Sequence, residues 1–475
     1  MLSFEIEKQP ENVSAVEQMA YAARVAQLLS ERLDHAPLAL IHTFGCQQNV
    51  SDGERLRGYA AEMGYGFTDD AAQADLVLFN TCAVREHAED RVFGNIGKLK
   101  NIKKKRPEMI IAVCGCMVQQ EHIKKKFRQS YPYVDITFGP PARHRLPELL
   151  YNRLTYGKRI FENGEGFSGI VEGTPVLREG TYKAWLPIMS GCDNFCTYCV
   201  VPYVRGREVS RKPEAVLEEA KALIADGVKE ITLLGQNVNS YGKKENFDVN
   251  FAKLLRMLNG LPGDFRIRFM TSHPKDCTEE LLLAMRDCEK VCRHLHLPVQ
   301  SGNNRILKKM NRHYDVQHYL ALVDKARALM PDITLTSDII VGFPGETHDE
   351  FCDTLRLIQQ VKYYSLFTFI YSPRVGTPAA AMEDPVSREE KGVWFRHLLA
   401  AQEEIAKTQN ELFLEKTVKV LCEEYNAETG MLSGHTHTYA SVSFPGDPRL
   451  LGQFVQVLVT DGAKNMIGKI IETKE

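Results

Sequence analysis

The 475-residue chain has no run of about 18 apolar residues, the length a helix needs to cross a bilayer. A helical membrane span is therefore excluded. Its first residues, MLSFEIEKQPEN, show no apolar segment of the kind that marks secretion. Nor does either sign of charge dominate: 59 Lys and Arg stand against 61 Asp and Glu, a net of −2. That excludes a broadly basic nucleic-acid coat but leaves room for a local basic patch. What remains is 44% hydrophobic and 25% charged, the balance of a soluble globular protein, long enough for two or three domains. Twelve cysteines are present. Without a secretory start they point to a reducing, cytoplasmic setting, where thiols bind metal or fill cores.

Three of those cysteines stand close together. In Ser190-Gly-Cys-Asp-Asn-Phe-Cys-Thr-Tyr-Cys199, Cys192, Cys196 and Cys199 form a C-x3-C-x2-C array. Three thiolates on one loop can hold three irons of a 4Fe-4S cube, where ferredoxin-type cubes use four. The fourth iron is then open to a small chelate, such as the amine and carboxylate of S-adenosylmethionine. The competing reading is a zinc knuckle, but a structural zinc takes four ligands and the first histidine downstream is His273.

Along the chain, residues 1–36 form a helical extension. Val16, Ala20, Ala23, Gln27, Leu28 and Leu29 make a loose stripe that packs on the next domain or binds a partner. Residues 37–154 alternate strand and helix. Strands are expected at Leu38–Thr43, Asp75–Asn80, Met109–Val113 and Val134–Phe138, and helices at Asp52–Met63, His87–Lys103 and Gln119–Gln129. This predicts a doubly wound parallel sheet covered on both faces. Cys46, Cys82 and Cys116 follow the first three strands, at the sheet edge where such folds bind ligands. A second three-thiolate cube is one reading, and three incidental buried thiols the other. Cys114 falls inside a strand and is expected in the core. The basic runs Lys103–Arg106 and Lys124–Arg128 are a solvated helix face or a phosphate contact.

Residues 155–180, with six glycines and Pro175, suggest a linker. Over 181–410 a second series follows, with strands at Ala184–Met189, Glu230–Leu234, Phe265–Met270, Cys292–Leu297, Ile333–Ile340 and Ser365–Ile370. Helices are expected at Pro213–Ala225, Asn250–Leu258, Thr278–Arg286, Asp315–Met330 and Asp349–Val361. Six units predict a partial (β/α)6 barrel, whose chemistry lies in the loops at the carboxyl ends of its strands. Those loops contain the cysteine array, Gly235-Gln236, Ser272-His273, His296 to Gln300, Val341 to Gly345, and Tyr371 to Arg374. Gly342 and Gly345 equally suit a tight turn, His273 and His296 equally read as satisfied structural histidines, and Arg205, Arg207 and Arg374 as phosphate or substrate contacts or as surface salt bridges. Cys277, Cys288, Cys292, Cys352 and Cys422 show no ligand spacing. A long helix over Ser387–Leu414 opens on a Ser387/Glu390 capping box. Residues 411–475, with strands at Thr417–Cys422, Tyr439–Phe444 and Phe454–Thr460, predict a small antiparallel β-barrel.

The cysteine array, with Tyr198 before its third cysteine, resembles the radical-SAM superfamily. Thr43-Phe-Gly-Cys46-Gln-Gln-Asn49, Asn80-Thr-Cys82-Ala-Val-Arg-Glu86 and Gly115-Cys116 resemble the N-terminal domain of the radical-SAM methylthiotransferases. Within that family the second phrase is closest to the tRNA-2-methylthio-N6-dimethylallyladenosine synthases, and the last segment resembles the TRAM domain. The chain departs from the family phrases at Gln48, Gly53, Val375, His435 and Tyr439. The resemblance implies two 4Fe-4S clusters, on Cys46, Cys82 and Cys116 and on Cys192, Cys196 and Cys199, with two S-adenosylmethionines used per turnover. One would methylate a sulfur on the auxiliary cluster and the other would yield the radical that activates the base. Gly235 and Gln236 would meet the methionyl end of S-adenosylmethionine, and Gln300, Val341 and Phe343 the ribose and adenine, with Tyr198 beside them. It further implies a monomeric enzyme with an electron donor and a sulfur donor, acting on N6-isopentenyladenosine at position 37 of a tRNA anticodon stem-loop. Rival readings are a threonylcarbamoyladenosine or ribosomal-protein aspartate substrate, a non-catalytic iron-sulfur RNA-binding module, and a zinc-stabilised RNA-binding protein.

Overall fold

The computed structural model describes residues 15–83, 86–162, 169–462 and 465–471. The stretch before Ala15, Val84 and Arg85 of the Asn80–Glu86 phrase, and the linker glycines Gly164 and Gly166 lie outside the described residues. The chain forms two compact units. One comprises 1–179, 189–193 and 200–211, and the other 180–188, 194–199 and 212–475.

The first unit is built on a six-stranded, all-parallel sheet. In space its strands run Gly66–Phe67, Leu38–Thr43, Leu76–Thr81, Ile110–Gly115, Ile136–Phe138 and Ile160–Glu162. Every residue of the two central strands is buried, because helices cover both faces. Leu76, Leu78, Ile110 and Ala112 pack on one side with Leu56, Tyr59 and Leu149. Val77, Phe79, Ile111 and Val113 pack on the other with Val92, Ile96 and Phe127. The strand alternation thus feeds two separate cores, as the doubly wound reading requires.

Three local readings need correction. The helix expected from Asp52 starts at Gln47, directly after Cys46. Its buried face includes Gln48, Asn49, Ser51, Asp52, Glu54 and Arg55, so no apolar period marks its start. The N-terminal helix Ala15–Arg32 buries Gln18, Ala22, Val25 and Leu29, so that of the expected stripe only Leu29 is buried, and Val16 is exposed. Gln18 carries that register, hydrogen-bonding Glu148 through its side-chain nitrogen at 3.4 Å and accepting the Glu148 N–H at 3.3 Å. Finally, the glycine-rich stretch after residue 155 begins inside the sheet. Helix Leu146–Tyr156 ends at Gly157 (φ +68°), and Ile160–Glu162 pairs with Ile136–Phe138 as the edge strand.

The second unit contains six parallel strands in chain order: Lys183–Pro187, Glu230–Leu234, Arg266–Phe269, His294–His296, Thr334–Val341 and Ser365–Ile370. They form two groups of three, joined by a parallel bridge between Ile267 and Val291. This is the expected partial (β/α)6 barrel. Its helices start at real caps: Asn250, Thr278, Asp315 and Thr347 each accept a backbone N–H from the first turn. The reciprocal capping box occurs at Thr347/Glu350. At the helix Arg388–Glu411, Ser387 accepts the Glu390 N–H.

Thr417–Asn426, Met431–Thr436, Ser441–Pro445, Met466–Ile470 and Phe454–Asp461 close into a five-stranded barrel in that spatial order. Four pairings are antiparallel, but Ser441–Pro445 and Met466–Ile470 run parallel, which corrects the purely antiparallel reading. Met431–Thr436 and Met466–Ile470 escaped the sequence reading because each carries an interior glycine, Gly434 and Gly468. A side chain at Gly434 would run into the Leu421 carbonyl. Among the described residues no helix is long and apolar enough to cross a membrane.

Candidate functional site

In the first unit, adjacent parallel strands deliver Cys46, Cys82 and Cys116 from their carboxyl ends. Asn49 ties two of these ends together: its side-chain nitrogen donates to the carbonyls of Phe44 and Thr81, both at 2.9 Å. The Cys116 N–H donates to the same Thr81 carbonyl at 3.0 Å, which joins the third. Gly115 allows this approach. It holds φ +96°, and a Cβ there would strike the Thr81 backbone. Cys82 and Cys116 are buried and Cys46 is exposed. Burial pushes the Cys116 thiol up to about 12, Arg205 opposes that rise, and Cys82 and Cys46 add to it. Among the described residues, no three His, Cys, Asp or Glu side chains gather closely enough to share one metal ion. Three thiolates are the donor set of a cube with one open iron, whereas a structural zinc takes four ligands. Cys114 lies in the hydrophobic core, as expected.

The second cysteine group lies in one eight-residue run. Cys192 belongs to the first unit, where its N–H donates to the Gly206 carbonyl at 3.2 Å. Cys196 and Cys199 belong to the second, and the Cys199 N–H donates to the Cys196 carbonyl at 3.0 Å. The loop bearing them is held from outside. Asn311 donates to the Asn194 and Phe195 carbonyls at 3.2 and 3.0 Å, and the Thr197 N–H to the Met310 carbonyl at 3.0 Å. Phe195 adopts φ +46°, a left-handed conformation that this clamp maintains. Arg312, which no sequence pattern singled out, is buried and donates from Nη1 to Cys196 Sγ at 3.4 Å. Its Nη2 donates to the Pro298 carbonyl at 2.6 Å, and Tyr314 Oη to the Val299 carbonyl at 2.8 Å. One guanidinium thus couples a cysteine to the loop leading into Gln300.

Gln300 has two features of a ligand-contact residue. Its backbone is left-handed at φ +74°, and its side-chain Oε1 is buried with no hydrogen-bond partner among the described residues. Its main chain is locked between Asp338 and Ile340 at 2.9 and 3.0 Å. Gly235 lies at the carboxyl end of Glu230–Leu234, where its carbonyl accepts from Thr271 Oγ1 at 2.8 Å; Gln236 follows, partly buried. Val341 and Phe343 are buried. The Phe343 ring sits in a cluster with Ile306, Met310 and Ala379, Tyr198 packs against that cluster, and Tyr371 meets Phe343 edge-on at 5.6 Å. These side chains bury the apolar part of the loop. Gly342 and Gly345, at φ +71° and +73°, make the turn, and Glu346 closes it by accepting the Gly342 N–H at 2.6 Å.

Other residues singled out in the sequence have structural partners. His296 bonds Thr336 Oγ1 at 3.0 Å, and His273 Nδ1 accepts the Lys275 N–H at 3.2 Å. Arg207 pairs with Asp193 at 2.7 Å. In the basic runs, Lys103 pairs with Asp135, Arg106 with Asp75 and Lys124 with Glu121. In the terminal barrel, His435 pairs with Glu423 at 2.9 Å and stacks on Tyr439 at 4.7 Å, whose ring also stacks on His294 at 4.5 Å. The two family departures therefore pack against each other.

Residues 39–139 match Uncharacterized protein family UPF0004, residues 186–358 the Radical SAM superfamily, and residues 413–466 the TRAM domain. The chain is 49% identical over 432 residues to the tRNA-2-methylthio-N(6)-dimethylallyladenosine synthase of Caldicellulosiruptor saccharolyticus, covering 91% of this chain and 92% of that one. It is 48% identical over 438 residues to the synthase of the same name from Clostridium perfringens, covering 92% and 98%. The chain belongs to the tRNA-2-methylthio-N(6)-dimethylallyladenosine synthase family. It is thus a radical-SAM methylthiotransferase, and membership of the radical-SAM superfamily implies a 4Fe-4S cluster and S-adenosylmethionine. Among solved structures, the radical S-adenosylmethionine methyltransferase TsrM from Kitasatospora setae, with cobalamin and a 4Fe-4S cluster bound, superposes with a TM-score of 0.53. It covers 73% of this chain and 77% of its own at 15% identity, a likeness of fold alone. The synthase family thus accounts for all three folded parts: the sheet with its strand-end cysteines, the partial barrel and the terminal β-barrel.

Proposed function

We propose that this protein inserts a methylthio group at C2 of N6-isopentenyladenosine, at position 37 of tRNA. The observation that carries the proposal is the convergence of Cys46, Cys82 and Cys116 on one sheet edge, in a chain that also bears the C-x3-C-x2-C array. Cys192, Cys196 and Cys199 would hold the 4Fe-4S cluster that takes S-adenosylmethionine, and Cys46, Cys82 and Cys116 a second, auxiliary cluster. When bound, these groups supply one-electron reduction and transferable sulfur, which an unactivated aromatic C–H requires.

The protein's own residues supply placement and shielding. Arg312 orients Cys196 and braces the Pro298–Gln300 backbone. The unsatisfied Gln300 Oε1 offers an acceptor to a ribose hydroxyl or an amine. Gly235, Gln236 and the Val341–Phe343 backbone form the remaining contacts for S-adenosylmethionine, backed by Tyr198. An anticodon loop presents an unpaired base, whose edge is accessible where that of an RNA helix is not. The terminal barrel contributes RNA binding. The enzyme acts as a cytoplasmic monomer served by separate electron and sulfur donors.

The test uses anaerobically reconstituted full-length protein, S-adenosylmethionine, a reductant and an isopentenylated anticodon stem-loop. Nucleoside mass spectrometry should find the 2-methylthio product together with 5′-deoxyadenosine. Deoxyadenosine without product, followed by product from a threonylcarbamoyladenosine stem-loop or a ribosomal-protein substrate, would overturn the substrate assignment. Neither, from protein holding two clusters, would overturn the catalytic reading.

A further inference from the structure

We infer that Arg205 is a positioning residue of the auxiliary site, anchored by one guanidinium nitrogen and presenting the other to an anionic sulfur held beside Cys46 and Cys116. This rests on the reading that Cys46, Cys82 and Cys116 hold a cluster. The sequence left Arg205 between a phosphate contact and a surface salt bridge. In the structure it does form an ion pair, with Asp52, but a buried one: Arg205 is only 5% exposed.

Its anchoring is built from the residues that shape the thiol site. Nη2 donates to Asn49 Oδ1 at 2.7 Å and to Asp52 Oδ2 at 2.9 Å. Asn49 is the side chain that ties Phe44 to Thr81, the chain segments leading into Cys46 and Cys82. Val204, next to Arg205, packs in one buried cluster with Cys116, Val200 and Ala83. One guanidinium nitrogen is therefore held by two side chains of the helix that follows Cys46, while the neighbouring Val204 packs with Cys116.

The other arm has no use within the described residues: Arg205 Nη1 is buried without a hydrogen-bond partner. Leaving a charged donor buried and unsatisfied costs about 1–3 kcal/mol or more, so folds rarely keep one without a reason. The local charge count points to an anion. Asp52 is shared by Arg205 and by Arg143, whose Nη1 lies 3.4 Å from it. Two guanidinium groups, one buried and one largely enclosed, thus face one carboxylate, leaving an excess of positive charge. A sulfur anion at this site would satisfy both the charge and the open N–H, with a charge-assisted bond to a donor that needs no reorganisation.

The test uses the full chain with Cys192→Ala, Cys196→Ala and Cys199→Ala, which leaves only the auxiliary site to reconstitute. Iron and sulfide content is measured first, and hydrosulfide is then titrated while the electron paramagnetic resonance of the reduced cluster is followed. Arg205→Gln should retain the cluster and bind hydrosulfide at least about tenfold more weakly. Arg205→Lys, whose single ammonium cannot serve Asp52 and a sulfur together, should show the same loss in smaller measure, with a shifted midpoint potential. It also decides the matter should Arg205→Gln not assemble. Unchanged hydrosulfide affinity and potential in a cluster-loaded Arg205→Lys would overturn the inference while leaving the auxiliary cluster standing. Absence of any cluster from the triple-alanine parent would overturn the auxiliary-site reading and the inference with it.

Discussion

Gly45 and Cys82 compete for one space: a Cβ on Gly45 would lie 2.9 Å from Cys82 Sγ and closer still to its Cβ. Gly45 also holds φ +112°, a conformation other residues adopt only under strain. The backbone entering Cys46 therefore rests directly on the second thiol. Gly45→Ala is expected to push these strand ends apart and abolish the auxiliary cluster. Iron analysis of the reconstituted chain should fall from roughly eight to roughly four irons. A full complement would show that the two thiols need no such contact.

The two cysteine groups should separate the two halves of the chemistry. Cys196→Ala is expected to abolish both S-adenosylmethionine cleavage and product. Cys82→Ala should abolish product and leave some cleavage, read as 5′-deoxyadenosine by chromatography. Full product from Cys82→Ala would remove the auxiliary cluster from the mechanism.

Inside the partial barrel, Glu230 accepts from Arg266 Nε at 2.6 Å and from Arg268 Nε at 3.2 Å, and all three side chains are at most 5% exposed. Burial opposes the Glu230 charge, but Arg268, Arg266 and Lys183 hold its carboxyl far below the usual carboxylate range. Glu230→Gln would leave the enclosed Arg268 guanidinium without its anion and Arg266 with only the longer contact to Glu423 at 3.3 Å. It should cost about 3–5 kcal/mol, measured by urea unfolding at neutral pH. A loss under about 1 kcal/mol would mean that the barrel hydrates this cluster.

Glu346 should make stability depend on pH in the opposite sense from a salt-bridged acid. Burial raises its carboxyl to about 7, although the Gly342 and Phe343 N–H groups pull it down. Between its ordinary value of 4.5 and about 7, the folded chain keeps a proton that the unfolded chain has released. This group's contribution to stability is therefore greatest in acid, falls across that window by up to about 3 kcal/mol, and is level above it. Glu346→Gln retains an acceptor for the Gly342 N–H and should flatten that slope and raise the melting temperature at pH 8. An unchanged slope in the variant would assign the pH dependence to other groups.

Much of the architecture was readable because the physics is local. The alternation of apolar strands such as DLVLFN with helical periods announced parallel sheets, and parallel sheets put their loops, hence Cys46, Cys82 and Cys116, on one edge. The compact array at Cys192–Cys199 was legible from spacing alone. Where the apolar pattern failed, the reading failed with it. Helix Gln47–Glu62 buries a largely polar face against the thiol site, and Met431–Thr436 and Met466–Ile470 are strands interrupted by glycine.

The sequence by itself thus determined which residue types recur at strand ends, and with them the family and its chemistry. Only the tertiary structure decided how those residues are held. Arg312 meets Cys196 from 116 positions away, and Arg205 reaches Asp52 across 153. Such contacts pair side chains with no common period, turn or motif between them. They arise because folding must find partners for buried charge, a requirement imposed by the enclosed space and not by neighbours along the chain.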